Sequence, residues 1–201
     1  MDNLNLPTRP NNLIEISWFY LVRINKCMRV TAKTIRDFLE KQQRHITHYI
    51  VAQSHFHTYH KMDWEIERMC TTLRKDFRHA SNCFSKELYG NGPRRKPLLY
   101  QPLLIPTLEG TKNTVSPKHT LHYNIYLGNL PKILSTDDIG ELWRYCWVEK
   151  AHQKNDIYIT ETLANTQAHL LRYGTKETQI GNLSCWDFEN TRIPYDALNT
   201  D

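Results

Sequence analysis

Two apolar runs joined by one polar connection constrain this chain more than anything else in it. LLIPTLE, from Leu103 to Glu109, and HTLHYNIYL, from His119 to Leu127, flank the polar segment Gly110 to Lys118. The second run is rich in β-branched and aromatic residues and is stopped by Gly128 and Pro131, which predicts a strand. The first contains Pro106 and follows Pro102. Proline cannot donate to a ladder, so this run fits an edge, a bulge or a short strand beginning at Leu103. Antiparallel pairing across the connection brings Glu109 beside His122. Side chains at i and i+2 of a strand share a face, so His122 and Asn124 point one way while Tyr123 and Ile125 point into a core.

The remaining texture completes an α+β pattern. Residues 1–12 are polar, carry Pro7 and Pro10, and read as a loose arm ahead of a single domain over 13–201. EISWFYLVRI, from Glu15 to Ile24, suits a buried first strand. Residues 31–88 contain no proline and no glycine, which predicts a helical insertion of two helices. The better of them has Asp63 as N-cap, an apolar stripe of Ile66, Met69, Cys70, Leu73, Phe77, Ala80, Phe84 and Leu88, and a stop at Gly90. Ser135 opens another helix that buries Ile139, Leu142, Trp143, Cys146 and Trp147. DIYITETL reads as a strand, and Asn165 caps a short helix running to Tyr173. The tail from Gly181 reads as loop anchored by Trp186 and Phe188. The expected fold is a central antiparallel sheet of four to five strands flanked by helices.

Charge narrows the partners only a little. A net charge of +5 and a pI near 8.9 suit a polyanion without requiring one. Arg94, Arg95 and Lys96 form a compact basic run on a loop and are candidates for guiding a DNA strand. Arg68, Arg74, Lys75 and Arg78 read as the solvated face of a helix. The five cysteines are odd in number, widely spaced and without a C-x-x-C pair, which argues against a disulfide framework or a zinc ribbon and for a reducing cytoplasm. No basic segment precedes an apolar run at the N-terminus, and nowhere do roughly eighteen uncharged apolar residues follow one another, so neither a signal peptide nor a membrane span is expected.

The chemistry-bearing residues fall on the hairpin and on the helix after it. A carboxylate, an imidazole and an amide oxygen at Glu109, His122 and Asn124 would supply three positions to a hard divalent cation. Tyr173 and Lys176 are three apart on the predicted helix, and a cation near a phenol eases its ionisation or orients a phosphate. A tyrosine alone is more often an amphipathic helix edge. A literal His-Phe-His occurs at His55 to His57, with His48 and His60 nearby, but its polar flanks suggest exposed helical histidines, with a transition-metal site from His57 and His60 or His45 and His48 as the minority reading. Trp18, Trp64, Trp143, Trp147 and Trp186 read as packing residues.

IPTLEG followed by LHYNIYLGNLP, with AHLLRYGTKE downstream, resembles the HUH endonucleases that initiate rolling-circle replication of plasmids, phages and mobile elements. The resemblance spans most of the chain. It implies magnesium or manganese held by Glu109, His122 and Asn124, a nucleophile at Tyr173 with Lys176 beside it, and single-stranded or hairpin DNA as substrate. The expected products are a 5′-phosphotyrosine and a free 3′-hydroxyl. Two departures stand out: Asn124 replaces the usual second histidine, and the first strand lacks the family's Thr-rich motif. No Gly-rich phosphate-binding loop is present, so unwinding would fall to a host helicase, with a host polymerase extending the free 3′ end. Two rivals remain open: a non-cleaving DNA-binding protein on the same fold, and a protein-interaction module built on residues 31–88.

Overall fold

The computed structural model describes residues 31–111, 120–174, 176 and 182–198. The expected arm at 1–12, the expected strand from Glu15 to Ile24, Trp18, Cys27 and most of the polar connection after Gly110 lie outside the described residues. Helix α1 (Ala32–Gln42) is followed by a 3-10 turn and by strand β1 (Ile46–His57). Helix α2 (Asp63–Tyr89), short α3 (Gly92–Arg95) and strands β2 (Leu103–Glu109) and β3 (Thr120–Gly128) come next. Helix α4 (Thr136–Arg144) runs on as a π turn to Lys150, before β4 (Ile157–Glu161), α5 (Ala164–Tyr173) and short α6 (Tyr195–Leu198). The four strands form one antiparallel sheet in the order β2-β3-β1-β4, flanked by helices.

The helical insertion expected over residues 31–88 is interrupted. Ile46–His57 is a strand, and it lies between β3 and β4 in the sheet. The absence of proline and glycine says only that no breaker is present, which holds for a central strand as well as for a helix. The β-branched and aromatic cluster Ile46, Thr47, Tyr49, Ile50 and Val51 decides for the strand. His48, His55 and His57 are therefore strand residues, and residues 31–88 are part of the sheet rather than a separable helical module.

Alternation along β3 divides the molecule. Leu121, Tyr123, Ile125 and Leu127 face a core shared with α2 and α4, where Phe77 lies 4.2 Å from the Tyr123 ring and Trp143 stacks on Trp147. The predicted stripe of α2 supplies that core, with Ile66, Cys70, Leu73, Phe77, Ala80 and Phe84 buried. Tyr126 faces the other way and packs with Tyr49, Ile105, Trp186 and the Ile35 and Leu39 side chains of α1. Trp64 departs from the packing expectation: it is 63% exposed, because it sits in the first turn of α2 away from the stripe.

The chain after residue 182 closes the β2 edge, with isolated bridges joining Thr107 to Trp186 and Leu104 to Arg192. This explains how Pro106 is tolerated, since β2 is the outer strand of the four. Arg74 and Arg78, expected to be solvated, instead tie this segment to α2: Arg74 donates to the Ser184 carbonyl at 2.7 Å, and Arg78 to Asn190 at 3.1 Å and Glu189 at 2.6 Å. Arg192 donates to Ser81, Asn82 and Ser85 from the other side. Cys83 and Cys146 are free thiols. Among the described residues no helix is long and apolar enough to cross a membrane.

Candidate active site on the open face of the sheet

Three rungs of the sheet build the site. Glu109, His122 and Gln53 stand opposite one another, then Thr107, Asn124 and Val51, then Ile105, Tyr126 and Tyr49. Residues paired across neighbouring strands share a face, so these side chains all project away from the α2 core. Glu109 ends β2, and Gly110 turns the chain immediately afterwards with φ +81°. A β-carbon on Gly110 would sit 2.8 Å from the Thr120 carbonyl oxygen. That carbonyl has a task, for it lies 3.0 Å from His122 Nδ1.

This contact fixes the imidazole. A carbonyl oxygen only accepts, so Nδ1 carries the proton and Nε2 is turned toward the Glu109 carboxylate, 3.2 Å from Oε2. Nε2 and the carboxylate are joined through a proton or a cation between them. A ring N–H donated to a backbone carbonyl fixes a histidine's orientation, as it does in many metal ligands.

Glu109 is 1% exposed, and the Lys176 ammonium reaches it at 2.8 Å, on the same Oε2. Its other oxygen, Oε1, is buried without a hydrogen-bond partner. Burial alone would raise the Glu109 pKa, but the hydrogen bonds and charges of His122 and Lys176 outweigh it and hold the carboxyl below its ordinary value. Burial likewise acts to lower the Lys176 pKa, and the Glu109 carboxylate, assisted by Tyr173, overcomes it and raises the value.

Tyr173 ends α5 and is 47% exposed. The helix stops there with Gly174 as its C-cap. Lys176 is again helical, and its ammonium lies 4.3 Å from the Tyr173 ring centroid. The sheet anchors this helix end. The Tyr126 hydroxyl donates to the carbonyls of Leu170 and Leu171, and Thr107 donates to the Gly174 carbonyl at 2.7 Å. These bonds fix the last turn of the helix on the sheet. Gly174 is required by space: a β-carbon there would fall 2.4 Å from the Tyr126 hydroxyl and 3.2 Å from that of Tyr49.

Asn124 is fully buried on the same face. Its Oδ1 accepts a 2.6 Å hydrogen bond from Tyr49, while Nδ2 is buried with no partner among the described residues. One lone pair of that oxygen is therefore taken. Burial pushes the Tyr49 phenol pKa far up, helped by Tyr126, Glu109 and Tyr173, so Tyr49 serves as a neutral donor.

The structure thus brings Glu109, His122, Lys176 and Tyr173 together and places Asn124 one rung away. It does not bring Arg94, Arg95 and Lys96 to them. Arg94 and Arg95 lie in α3, where Gly92 packs on Tyr100, and Tyr89 at the end of α2 bonds to the Asn129 carbonyl just past β3. That is the far end of the sheet, about 20 Å along β2 from Glu109 at ~3.3 Å per residue. Of the histidines weighed in the sequence, His57 stands at the site's rim, its Nδ1 3.4 Å from Thr120 Oγ1. His48 is engaged by Thr47 and Thr136, and among the described residues no group of three or more His, Cys, Asp or Glu side chains is placed to hold a metal. Tyr49, Tyr126 and Thr107 are the site residues that sequence reasoning missed; for Tyr49 the signal was the β-branched run around it.

No protein-family model matches the chain, and no curated protein or solved structure is similar to it.

Proposed function

We propose that this protein is a rolling-circle replication initiator of the HUH type, nicking single-stranded DNA through Tyr173. One observation carries the reading: a half-exposed tyrosine, a lysine, a buried carboxylate and an imidazole from separate parts of the chain converge on one sheet face. Glu109 and His122 would hold a magnesium or manganese ion, since Glu109 Oε1 is buried with no partner among the described residues and His122 Nε2 faces the same carboxylate. Asn124 Oδ1 retains one lone pair for the same ion. When bound, the ion would supply Lewis acidity toward a phosphoryl oxygen.

The residues of the chain account for the rest of the reaction. The anchored end of α5 holds the phenol in place over the sheet, and fixed placement of an attacking group is worth several kcal/mol of barrier. The Tyr173 oxygen attacks phosphorus and its proton passes to solvent. The bond to the 3′ oxygen breaks, and that oxygen takes up a proton as the free hydroxyl. Lys176, beside the ring, is placed to pair with the phosphate.

The test is incubation of the full chain with a pool of random single-stranded oligonucleotides carrying a 3′ fluorophore, with manganese. A fluorescent protein adduct resistant to denaturation, absent in Tyr173→Phe, is the expected result. No adduct, or an adduct that survives the substitution, would overturn the reading. DNA binding without any adduct would favour the non-cleaving alternative, in which Asn124, already tied to Tyr49, no longer completes the ligand set.

A further inference from the structure

Glu109 is nearly sealed from solvent, and a carboxylate in that position needs a positive partner. In the structure that partner is the Lys176 ammonium, which shares oxygen Oε2 with His122 and is itself about half exposed. Lys176 therefore stands over the carboxylate that a cation would need, and it approaches from the solvent side. It also lies over the face of the Tyr173 ring, so its position serves the carboxylate. Two roles for Lys176 compete for one geometry: neutralising Glu109, and pairing with a phosphate brought to Tyr173.

We propose that Lys176 is a built-in counterion of Glu109, which yields that carboxylate when a divalent cation enters and becomes available to the substrate phosphate only then. The inference rests on the nickase reading for its cation and substrate, and adds an order of events to it. A single positive charge on a flexible stem holds Glu109 in the ion-free protein. Two positive charges able to engage Glu109 and His122 together replace it. The displaced ammonium remains beside Tyr173, because Gly174, two residues before it, is fixed to the sheet through Thr107. Cation entry and lysine release are then one event, so the phenol gains its cationic neighbour for the phosphate only in a loaded site.

The sign of the effect separates this from a lysine that merely assists chemistry. Where a ligand binds only the open fraction of a site, its apparent affinity falls by that fraction. If the Lys176–Glu109 pair is open about a tenth of the time, removing the lysine tightens cation binding about tenfold.

The experiment measures manganese binding to the full chain without DNA, by electron paramagnetic resonance of free ion and by the rise in melting temperature. Lys176→Met is expected to bind manganese about tenfold more tightly than the unaltered protein and to gain more melting temperature from it, while forming less Tyr173 adduct. Glu109→Gln should abolish the manganese response in both backgrounds. Should Lys176→Met prove unfolded without the ion, Lys176→Gln replaces it, and recovery of a cooperative melt on adding manganese supports the proposal. Equal or weaker manganese binding by the lysine variants overturns it, as does a lack of manganese binding by every variant. The underlying reading is judged separately, by the Tyr173 adduct of the unaltered protein, so the two failures are distinguishable.

Discussion

The two faces of the sheet are made from the same strands and differ in almost every physical respect. Behind it, Tyr123, Ile125 and Leu127 meet Phe77, Phe84, Trp143 and Trp147 in a dry, close-packed layer. In front, the residues between them in sequence, His122, Asn124 and Tyr126, meet Glu109, Thr107 and Tyr49, and Glu109 Oε1 and Asn124 Nδ2 are buried with no hydrogen-bond partner among the described residues, where the rear layer has Trp143 Nε1. A buried polar atom left unpaired costs about 1–3 kcal/mol. The difference teaches a division of labour: the rear layer holds the fold, and the front spends stability on a polar cluster of the kind found at functional sites.

The sharpest way to break that comparison is to damage each face in turn. Phe77→Ala opens a cavity against Tyr123, Trp143 and Trp147 and should cost about 3–5 kcal/mol in a denaturant titration. Gly174→Ala forces a methyl group against the Tyr126 and Tyr49 hydroxyls in front and should cost about 1–3 kcal/mol, while displacing Tyr173 and lowering adduct yield more than stability. If the rear substitution proved the milder one, the division of labour would be wrong.

A smaller effect, dependent on pH, tests the polar group closest to the rear layer. Asp187 is 1% exposed and accepts hydrogen bonds from Tyr123 at 2.7 Å and Asn190 at 2.6 Å. Burial raises its pKa, against the opposing pull of those bonds and of Arg74. A carboxyl with a raised folded-state pKa binds its proton more tightly folded than unfolded. Its contribution is thus most favourable in acid and is lost as pH rises from the ordinary aspartate range through the raised folded value. Asp187→Asn keeps an oxygen for both donors and does not titrate. The variant should match the unaltered protein in acid and exceed it in stability at neutral pH. A gap that narrows as pH rises would show that Asp187 is instead held ionised by its partners.

Legibility in the sequence followed local pattern closely. The β2–β3 hairpin, the α2 stripe and the α4 face were visible because each repeats at two or at three to four residues, and that period is what burial selects. Glu109 beside His122 came with the hairpin. β1 was hidden because its flanks carry no breakers, so its β-branched centre was read with the helices around it. The strap formed by Arg74, Arg78, Asn190 and Arg192 follows no period at all, since each contact joins residues far apart in sequence. Lys176 shows what spacing does carry within the site: three residues after Tyr173 it lies over that ring, although α5 itself ends at Tyr173.

The smallest expected effect concerns the two ends of the sheet rather than its faces. Arg94, Arg95 and Lys96 sit beside the Leu103 end, and Glu109 and His122 sit at the other. Charges separated by more than a screening length of ~8 Å at physiological salt hardly influence one another through solvent, and the spacing here is about 20 Å. On the nickase reading, replacing all three by alanine should change adduct yield by less than about twofold at physiological salt. The loss should grow at low salt, where screening extends to ~30 Å. Each phosphate contact removed flattens the dependence of binding on log salt by ~0.7 for a single strand. A loss of tenfold or more at physiological salt, with a flattened slope, would mean that the bound strand runs the whole length of the sheet. The basic run would then belong to the DNA path even though it stands far from the phenol.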